Sequence, residues 1–400
     1  MKSRRTWKNG GLELNQTTVA LIAPGLAGLP PQAATSIEIY LYDVWRHLPE
    51  GVDARLYGRR TVLVKTRHQS AQHQLAGAVG PGYLAAVLRD IQRSGGSDIV
   101  QVDNRPAAIA RVQSVLVQPT VLNLHSLTFL QPRALANDQA RQALATAHRI
   151  VVNSHYLATA LEGRFKEACG RTDVIHPGVD STHFHPCSSA QERRARDVLR
   201  RQFGGDDQSS SGPRLIVLFV GRIIPRKGLH LVLEAMRSLR PQSAFALWVV
   251  GHPPKPTTSY GKRLLNLASG LPVTWFGYLG REQLPAVYRA ADVLVCMSQQ
   301  PEAFGLVNLE ACASGLPVVG SRAWGIVESV QNLYTGLLVK EYTDPEAIAG
   351  ALRELGEDPS MRLELAAHAV ESARRNFSWS HSAGQFAKLY RRLAGHSARR

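Results

Sequence analysis

Short apolar runs alternate with amphipathic stretches along most of the chain, a pattern typical of parallel sheets built from βαβ units. The 400 residues exceed what one hydrophobic core usually organises, so we expect two domains of this α/β class. Between the halves, residues 187–213 combine a charged helical run with a Gly-, Asp- and Ser-rich tract, which predicts a surface loop. The apolar runs predict strands at 17–23, 61–65, 98–102, 120–124, 149–153 and 172–176, and then at 215–220, 245–250, 273–276, 292–296, 317–320 and 336–339.

Two glutamates, Glu302 and Glu310, flank a predicted connection between a buried strand and a helix. Phe304-Gly305-Leu306 then lies at the helix N-terminus, where free N–H groups and the helix dipole suit a diphosphate. Glu302 precedes this anion site and Glu310 lies about one turn into the helix. Their carboxylates can accept hydrogen bonds from sugar and ribose hydroxyls respectively. The alternative is that both are ordinary surface glutamates.

A second segment places two cations just after a predicted strand. The strand ends at Gly221, and Arg222 and Lys227 follow it before Gly228 and an amphipathic helix at 229–239. An Arg fork and a Lys ammonium at this spacing can clamp a diphosphate, and the glycines permit the turns and the close approach. The alternative is a basic surface loop.

Together, these two segments resemble the C-terminal half of the family 4 retaining glycosyltransferases, which have the GT-B fold. The segment 174–180 is similar to that family's junction between domains, and 276–279 is similar to its base-binding loop, with Tyr278 and Leu279 at the base. Phe377-Ser-Trp379 and Tyr390 resemble its final helix. Four short strings are most similar to the spore coat protein SA group within the family: 36–40, 103–106, 123–126 and 152–155.

The resemblance implies two facing Rossmann-like domains with parallel sheets and an interdomain cleft. Residues 1–178 would form the acceptor-side domain, with the C-terminal helix 380–400 packing back on it, and 179–379 would bind the nucleotide sugar. The implied reaction is a retaining hexosyl transfer with front-face departure and attack. The acceptor would be a glycan, a lipid-linked molecule or a protein. It would belong to the cell envelope, a spore coat or a polysaccharide.

The resemblance also assigns roles to residues. Arg222 and Lys227 would stabilise the leaving diphosphate, Glu310 would hold ribose and Glu302 would orient the sugar. His125, which ends a predicted strand, would lie against the transferred sugar; a structural histidine is the alternative. Asn104 and Arg105 are weaker acceptor-side candidates, and pairing with a local carboxylate is the alternative for Arg105. The backbone that would cradle phosphate belongs to Phe304, Gly305, Leu306 and Val307.

Two departures from the family pattern support a competing hypothesis. The loop 30–36 lacks the family's glycine pair, so Ala34 and Thr35 restrict the backbone there. Trp324 and Val327 stand where the family commonly has glycine and proline. The alternative function is therefore a catalytically inactive structural protein of a spore coat or envelope.

Charge and composition narrow the remaining function classes. The formal net charge is +16, but residues 1–178 carry about half of the excess, and aromatic residues do not interleave with the basic clusters, which argues against nucleic acid. Solvated faces are the first interpretation of these clusters, and peripheral contact with anionic lipid or a polyanionic acceptor is the second. The clusters comprise Arg55, Arg59, Arg60, Lys65 and Arg67, and Arg391, Arg392, Arg399 and Arg400.

Metal, membrane and redox signals are weak. The chain has no Asp-x-Asp motif, so we expect no catalytic metal and no cofactor besides the nucleoside diphosphate sugar. No apolar run reaches the roughly 18 residues of a membrane span. Cys169, Cys187, Cys296 and Cys312 have no metal-site spacing, and the last two should be small apolar fillers. A reduced cytoplasmic setting is expected, with the inner membrane face or a spore coat as peripheral locations.

Overall fold

The computed structural model describes residues 16–25, 28–29, 36–60, 81–204, 214–241 and 244–397. The chain divides into two units: unit 1 combines 1–152, 161–175 and 382–400, and unit 2 combines 153–160 and 176–381. The predicted strand 61–65, the pair Ala34 and Thr35, and residues 205–213, which contain most of the polar tract, lie outside the described residues.

Within the described residues, unit 1 contains a sheet of six parallel strands in the order β3-β1-β5-β6-β7-β8, and β2 pairs with β4. Its strands are β1 (Thr17–Ile22), β2 (Gly28–Leu29), β3 (Val52–Tyr57), β4 (Arg59–Arg60), β5 (Ile99–Asp103), β6 (Thr120–Leu124), β7 (Arg149–Val152) and β8 (Thr172–Val174). The first helices are α1 (Ser36–Arg46), α2 (Pro81–Arg93), α3 (Ile109–Gln113), α4 (Asn137–Thr146) and α5 (His155–Arg164), of which α5 is shared between the two units.

In unit 2, the part of the chain that the structure describes forms a second sheet of six parallel strands in the order β11-β10-β9-β12-β13-β14. These strands are β9 (Leu215–Val220), β10 (Phe245–Val250), β11 (Val273–Gly277), β12 (Val293–Cys296), β13 (Val318–Ser321) and β14 (Gly336–Val339). The remaining helices are α6 (Ala190–Gln202), α7 (Leu229–Ser238), α8 (Ser259–Ala268), α9 (Leu284–Ala290), α10 (Leu306–Ala313), α11 (Ile326–Ser329), α12 (Pro345–Glu357), α13 (Pro359–Asn376) and α14 (Trp379–Ser397), the last of which passes from unit 2 into unit 1.

The prediction of an α/β protein with two parallel sheets is confirmed, and the six strands of the second half match to within one residue at each end. The strand β3 was not predicted. It lies at the edge of its sheet and is only partly buried, so its sequence Val-Asp-Ala-Arg-Leu-Tyr has no continuous apolar run.

The apolar runs of unit 2 are explained by burial on both faces of its sheet. Along β9, Leu215, Val217 and Phe219 pack into one hydrophobic cluster. The alternate residues Ile216 and Leu218 pack into another cluster. Because successive side chains of a strand point to opposite faces, helices must cover both sides, as in other parallel sheets.

The cysteine prediction is confirmed for the two buried residues. Cys296 lies in β12 and Cys312 in α10, and burial raises the pKa of these thiols to about 11 and about 12. Both therefore remain protonated at neutral pH and act as small apolar side chains. Among the helices that the structure describes, none combines the length and the apolar character that crossing a membrane requires.

Candidate functional site

The loop after β9 is held by a glycine that no other residue could easily replace. Gly228 has φ +74°, and a Cβ there would overlap the carbonyl oxygen of Met297, just beyond β12. The backbone N–H of Gln299 donates to the carbonyl of Arg226 at 2.7 Å. The loop that carries the predicted cations therefore packs directly on the segment that leads to Glu302.

This packing brings Lys227 and Glu302 together. The ammonium of Lys227 donates to Oε2 of Glu302, and the hydroxyl of Ser298 donates to the same oxygen at 3.2 Å. The side chains of Lys227 and Glu302 are only 21% and 23% exposed. Partial burial and the neighbouring Arg226 lower the pKa of Arg222, while Glu302 raises it, so Arg222 belongs to the same electrostatic environment.

The N-terminus of α10 lies next along the chain. Gly305 has φ +91° and precedes the first helical residue, Leu306. Phe304 is buried, and its carbonyl accepts a hydrogen bond from Ser329 at 2.9 Å, which fixes the entry into the helix. The side chains of Leu306 and Val307 are half-buried. Since the first N–H groups of a helix lack partners within it, this turn can receive an anion.

Glu310 is oriented by a tyrosine on another helix. The hydroxyl of Tyr288, in α9, donates to Oε2 of Glu310 at 2.9 Å. Tyr288 is fully buried; burial first, and then the charge of Glu310, raises its pKa well above the usual value. It therefore stays a hydrogen-bond donor. Tyr288 was not predicted as a site residue.

An exposed aromatic pair follows β11. Tyr278 is 50% exposed, and its ring stacks on that of His252 with 5.2 Å between centroids and 12° between planes. Leu279 is half-buried and packs against the hydrophobic cluster beneath. His252, which follows β10, was not predicted as a site residue. Neighbouring parallel strands bring these two loops together.

Trp324 keeps the backbone conformation that a glycine would adopt most easily. Its φ is +54°, a region that costs a bulky residue roughly 1–3 kcal/mol. The ring lies 5.5 Å from that of Tyr342, and the N–H of the next residue, Gly325, donates to the carbonyl of Glu302 at 3.0 Å. The loop is thus anchored beside Glu302 despite the missing glycine.

In unit 1, His125 follows β6 and is held by a buried carboxylate that the sequence did not single out. Its Nε2 lies 3.3 Å from Oδ1 of Asp103, a fully buried residue that ends β5. Asn123 and Gln101 donate to the same carboxylate at 2.6 and 2.9 Å. The ring of Tyr40 meets His125 edge-on, with 4.5 Å between centroids. The register that pairs Asp103 with Asn123 creates this network.

The two weaker candidates have different surroundings. Asn104 is buried with φ +50°, and its side-chain oxygen accepts the backbone N–H of His125 at 3.2 Å. Asn104 therefore positions the residue after β6. The guanidinium of Arg105 lies over the ring of Phe129, 5.0 Å from its centroid.

A cavity of about 510 Å³ lies elsewhere in unit 1, at the amino ends of β1, β3, β5 and β6. Its lining includes Asp53, Arg55, Asp98 and Gln118. None of the predicted site residues lines it. His125 follows the carboxyl end of β6, where open parallel sheets usually bind their ligands.

Two family models match the chain. The one described as "Glycosyl transferases group 1" matches residues 206–376, and the one described as "Glycosyltransferase Family 4" matches residues 37–183. Spore coat protein SA of Bacillus subtilis is 24% identical over 379 residues, which cover 93% of this chain and 98% of that protein. D-inositol 3-phosphate glycosyltransferase of Salinispora tropica is 31% identical over 400 residues, which cover 89% of this chain and 81% of that protein.

Solved structures agree. Sucrose-phosphate synthase from Thermosynechococcus elongatus superimposes with a TM-score of 0.75 and 25% identity, over 95% of this chain and 100% of that one. Anabaena Alr3699/HepE in complex with UDP-glucose superimposes with a TM-score of 0.72 and 21% identity, over 93% of this chain and 98% of that one. These similarities favour the enzyme over the structural-protein hypothesis: the chain has the GT-B fold and belongs to the family 4 glycosyltransferases.

Proposed function

We propose that this glycosyltransferase moves a hexose from a nucleoside diphosphate sugar to an acceptor hydroxyl, with retention at the anomeric carbon and without a metal. The observation that carries the proposal is the ion pair between Lys227 and Glu302. A sugar and its β-phosphate share one oxygen atom, so a cation for the phosphate and a carboxylate for the sugar hydroxyls must lie side by side. If Lys227 and Glu302 were ordinary surface residues with unrelated roles, nothing would require them to be adjacent.

The rest of the donor fits around this pair. Arg222, Lys227 and the backbone of Phe304 to Val307 would surround the diphosphate, because both cations and helix N-termini favour anions. Glu310, oriented by Tyr288, would accept hydrogen bonds from ribose. The base would lie by Tyr278 and Leu279, with the Tyr278–His252 stack as an aromatic surface. Alr3699/HepE has been solved with UDP and with UDP-glucose, which supports a nucleotide sugar as the donor.

In the proposed reaction, the bond between the anomeric carbon and the β-phosphate oxygen breaks, and its electron pair stays on the diphosphate. The acceptor oxygen forms the new bond on the same face, and its proton passes to the departing phosphate oxygen. Positive charge develops on the sugar ring and negative charge on the diphosphate. Arg222, Lys227 and the first turn of α10 would stabilise the latter, the task that a divalent cation performs in other enzymes. The absence of an Asp-x-Asp motif supports a reaction in which these groups replace a divalent cation.

The acceptor side of the proposal concerns residues of unit 1 and the class of the acceptor molecule. His125, positioned by Asp103, is proposed to contact the transferred sugar, with Asn104 and Arg105 nearby. We propose that the acceptor is a glycan, a lipid-linked molecule or a protein. It would belong to the cell envelope, a spore coat or a polysaccharide. The similarity to a protein named for the spore coat supports a spore-coat acceptor.

Peripheral membrane contact is a separate part of the proposal. Of the basic clusters, Arg391 donates to the carbonyl of Glu50 and Arg392 pairs with Asp173, so these two have structural roles. The side chains of Arg59, Arg60, Lys65, Arg67, Arg399 and Arg400 lie outside the description. If they attract anionic lipid, co-sedimentation with anionic vesicles should fall steeply as salt rises. No binding at low salt would restore the solvated-face interpretation.

The test begins with a panel of nucleoside diphosphates in a thermal shift assay. A matching nucleotide at 100 times its dissociation constant should stabilise the fold by about 2.7 kcal/mol. The corresponding sugar nucleotide should then be consumed in excess EDTA, and Lys227→Ala should suppress consumption. Lys262→Ala, at an exposed lysine of α8, is the matched control.

Three results would contradict the proposal. Activity lost in EDTA and restored by Mg²⁺ or Mn²⁺ would remove metal independence. An inverted anomeric configuration in the product would remove retention. Nucleotide binding without consumption of any donor would instead favour the inactive structural protein.

A further inference from the structure

Three potential metal ligands converge in unit 2, and none of them is among the residues proposed for transfer. His155 begins α5, His176 follows β8 and Glu328 lies in α11. One ligand atom from each residue lies within 4.8 Å of the others. We propose that these three side chains form a binding site for a divalent transition metal such as Zn²⁺, Ni²⁺ or Co²⁺.

The carboxylate is already held in place for this task. Oε2 of Glu328 accepts the backbone N–H of His155 at 2.7 Å, and Oε1 accepts that of Tyr156 at 2.7 Å. Nε2 of His176 lies 2.9 Å from Oε2. Burial raises the pKa of Glu328, but the bonds from His176 and the two backbone N–H groups outweigh it, and the pKa falls. The carboxylate is therefore ionised at neutral pH.

The histidine rings are positioned as well. The ring of His176 packs against those of Phe304 and Phe377, with centroids 5.3 and 6.1 Å away. The ring of His155 lies 5.5 Å from that of His176, at 71° to it. His155 is exposed, whereas His176 and Glu328 are half-buried. Metal and water can thus reach the cluster from the side of His155, while Phe304 and Phe377 cover His176.

The ligand types select the metal. Two imidazole nitrogens and one carboxylate suit Zn²⁺, Ni²⁺ or Co²⁺, whereas Mg²⁺ and Ca²⁺ prefer oxygen ligands. Binding would exchange the hydrogen bond between His176 and Glu328 for two bonds to the cation. Each imidazole donates a nitrogen lone pair and keeps its proton on the other nitrogen. A fourth position remains for water.

Both histidines lie in strings that carry the family resemblance, 152–155 and 174–180, and the proposed transfer uses neither. A metal would join three distant segments of the chain, so it should raise the stability of unit 2. The cluster includes none of Arg222, Lys227, Glu302 and Glu310. None of the three ligands takes part in the proposed reaction, although the ring of His176 packs against that of Phe304. Removing the metal should therefore not abolish transfer.

The experiment uses the full chain without a histidine tag, freed of metal by chelation. Co²⁺ is titrated in and followed by its visible absorption, and Zn²⁺ is then added to compete. The wild type should take up one equivalent of Co²⁺, and Zn²⁺ should displace it and raise the melting temperature. His155→Ala should weaken Co²⁺ binding at least about tenfold. Because His155 is exposed, this variant should fold normally.

Two further variants complete the design. Glu328→Gln keeps an oxygen to accept a backbone N–H but loses the charge, and it should also weaken binding. His381→Ala changes an exposed histidine outside the cluster and should bind like the wild type. No saturable binding by the wild type, or binding that His155→Ala and Glu328→Gln leave unchanged, would overturn the proposal.

Discussion

Lys227 and Glu302 are 75 residues apart in the chain and form an ion pair on one edge of the unit 2 sheet. Lys227 follows β9 and Glu302 follows β12, and these two strands are hydrogen-bonded neighbours. In parallel sheets the carboxyl ends of neighbouring strands meet at the same edge. The strand order therefore brings two separate sequence motifs into contact.

The first prediction separates the structural and functional effects of this pair. Each of Lys227→Ala and Glu302→Ala should cost little stability, about 0–1 kcal/mol, because the pair is partly solvated. Donor consumption should fall at least about tenfold in each, since a transition-state contact worth 1.4 kcal/mol or more is lost. Urea unfolding and donor turnover measure the two effects. The more exposed pair Arg263–Glu234 is the control, and its removal should leave turnover unchanged.

The second prediction concerns nucleotide affinity. Glu310→Ala should weaken binding of the free nucleoside diphosphate by about 10- to 150-fold, since a charge-assisted bond to ribose is worth about 1.5–3 kcal/mol. Tyr288→Phe leaves the carboxylate but removes its 2.9 Å hydrogen bond, so a smaller loss is expected. Glu302→Ala should leave nucleotide affinity nearly intact. Calorimetric titration measures these affinities. Equal losses of nucleotide affinity in Glu302→Ala and Glu310→Ala would show that the roles of the two glutamates are misassigned.

The third prediction uses two glycines with the same backbone conformation. Gly228 and Gly270 have φ +74° and +76°, but only at Gly228 would a Cβ overlap another backbone atom. Gly270→Ala should cost roughly 1–2 kcal/mol, the price of a left-handed conformation. Gly228→Ala should cost more and also lower donor turnover, because the loop carrying Lys227 must shift. Equal unfolding free energies in urea would contradict the close packing.

The fourth prediction tests the carboxylate behind His125. Asp103→Asn removes the charge from a carboxylate that accepts hydrogen bonds from two amides and lies 3.3 Å from His125, so it should reduce the free energy of unfolding by about 1.5–3 kcal/mol. It should also reduce donor turnover if His125 contacts the sugar. Asp138→Asn, at an exposed position in α4, should change stability by less than about 1 kcal/mol. A wild-type melting curve for Asp103→Asn would exclude a structural role for the network.

The fifth prediction is a pH dependence at the start of α6. The backbone N–H and hydroxyl of Ser188, together with the N–H of Ser189, lower the pKa of Glu192 from 4.5 to about 2. A lowered pKa stabilises the fold above pH 4.5, and this contribution is lost as pH falls from 4.5 towards 2. The melting temperatures of the wild type and Glu192→Gln should therefore converge over this range. Ser189→Ala removes the reciprocal cap bond and should cost about 0.5–2 kcal/mol at neutral pH.

The repeating apolar runs were sufficient to predict the α/β class and the strands of unit 2, because a strand buried on both faces must be apolar throughout. The same reasoning failed for β3, which is partly buried at the end of the described sheet and has no such run. Local spacing also predicted that Glu302 and Glu310 flank a helix start, since a few adjacent residues determine that geometry.

The contacts among the candidate site residues depend on the tertiary structure. Tyr288 orients Glu310, Asp103 holds His125, and His252 stacks on Tyr278, yet each pair joins different elements. The cluster of His155, His176 and Glu328 draws on three segments. Periodicity reports only which face of an element is buried. Which loops become neighbours follows from strand order and register, and these are decided by the packing of the whole sheet.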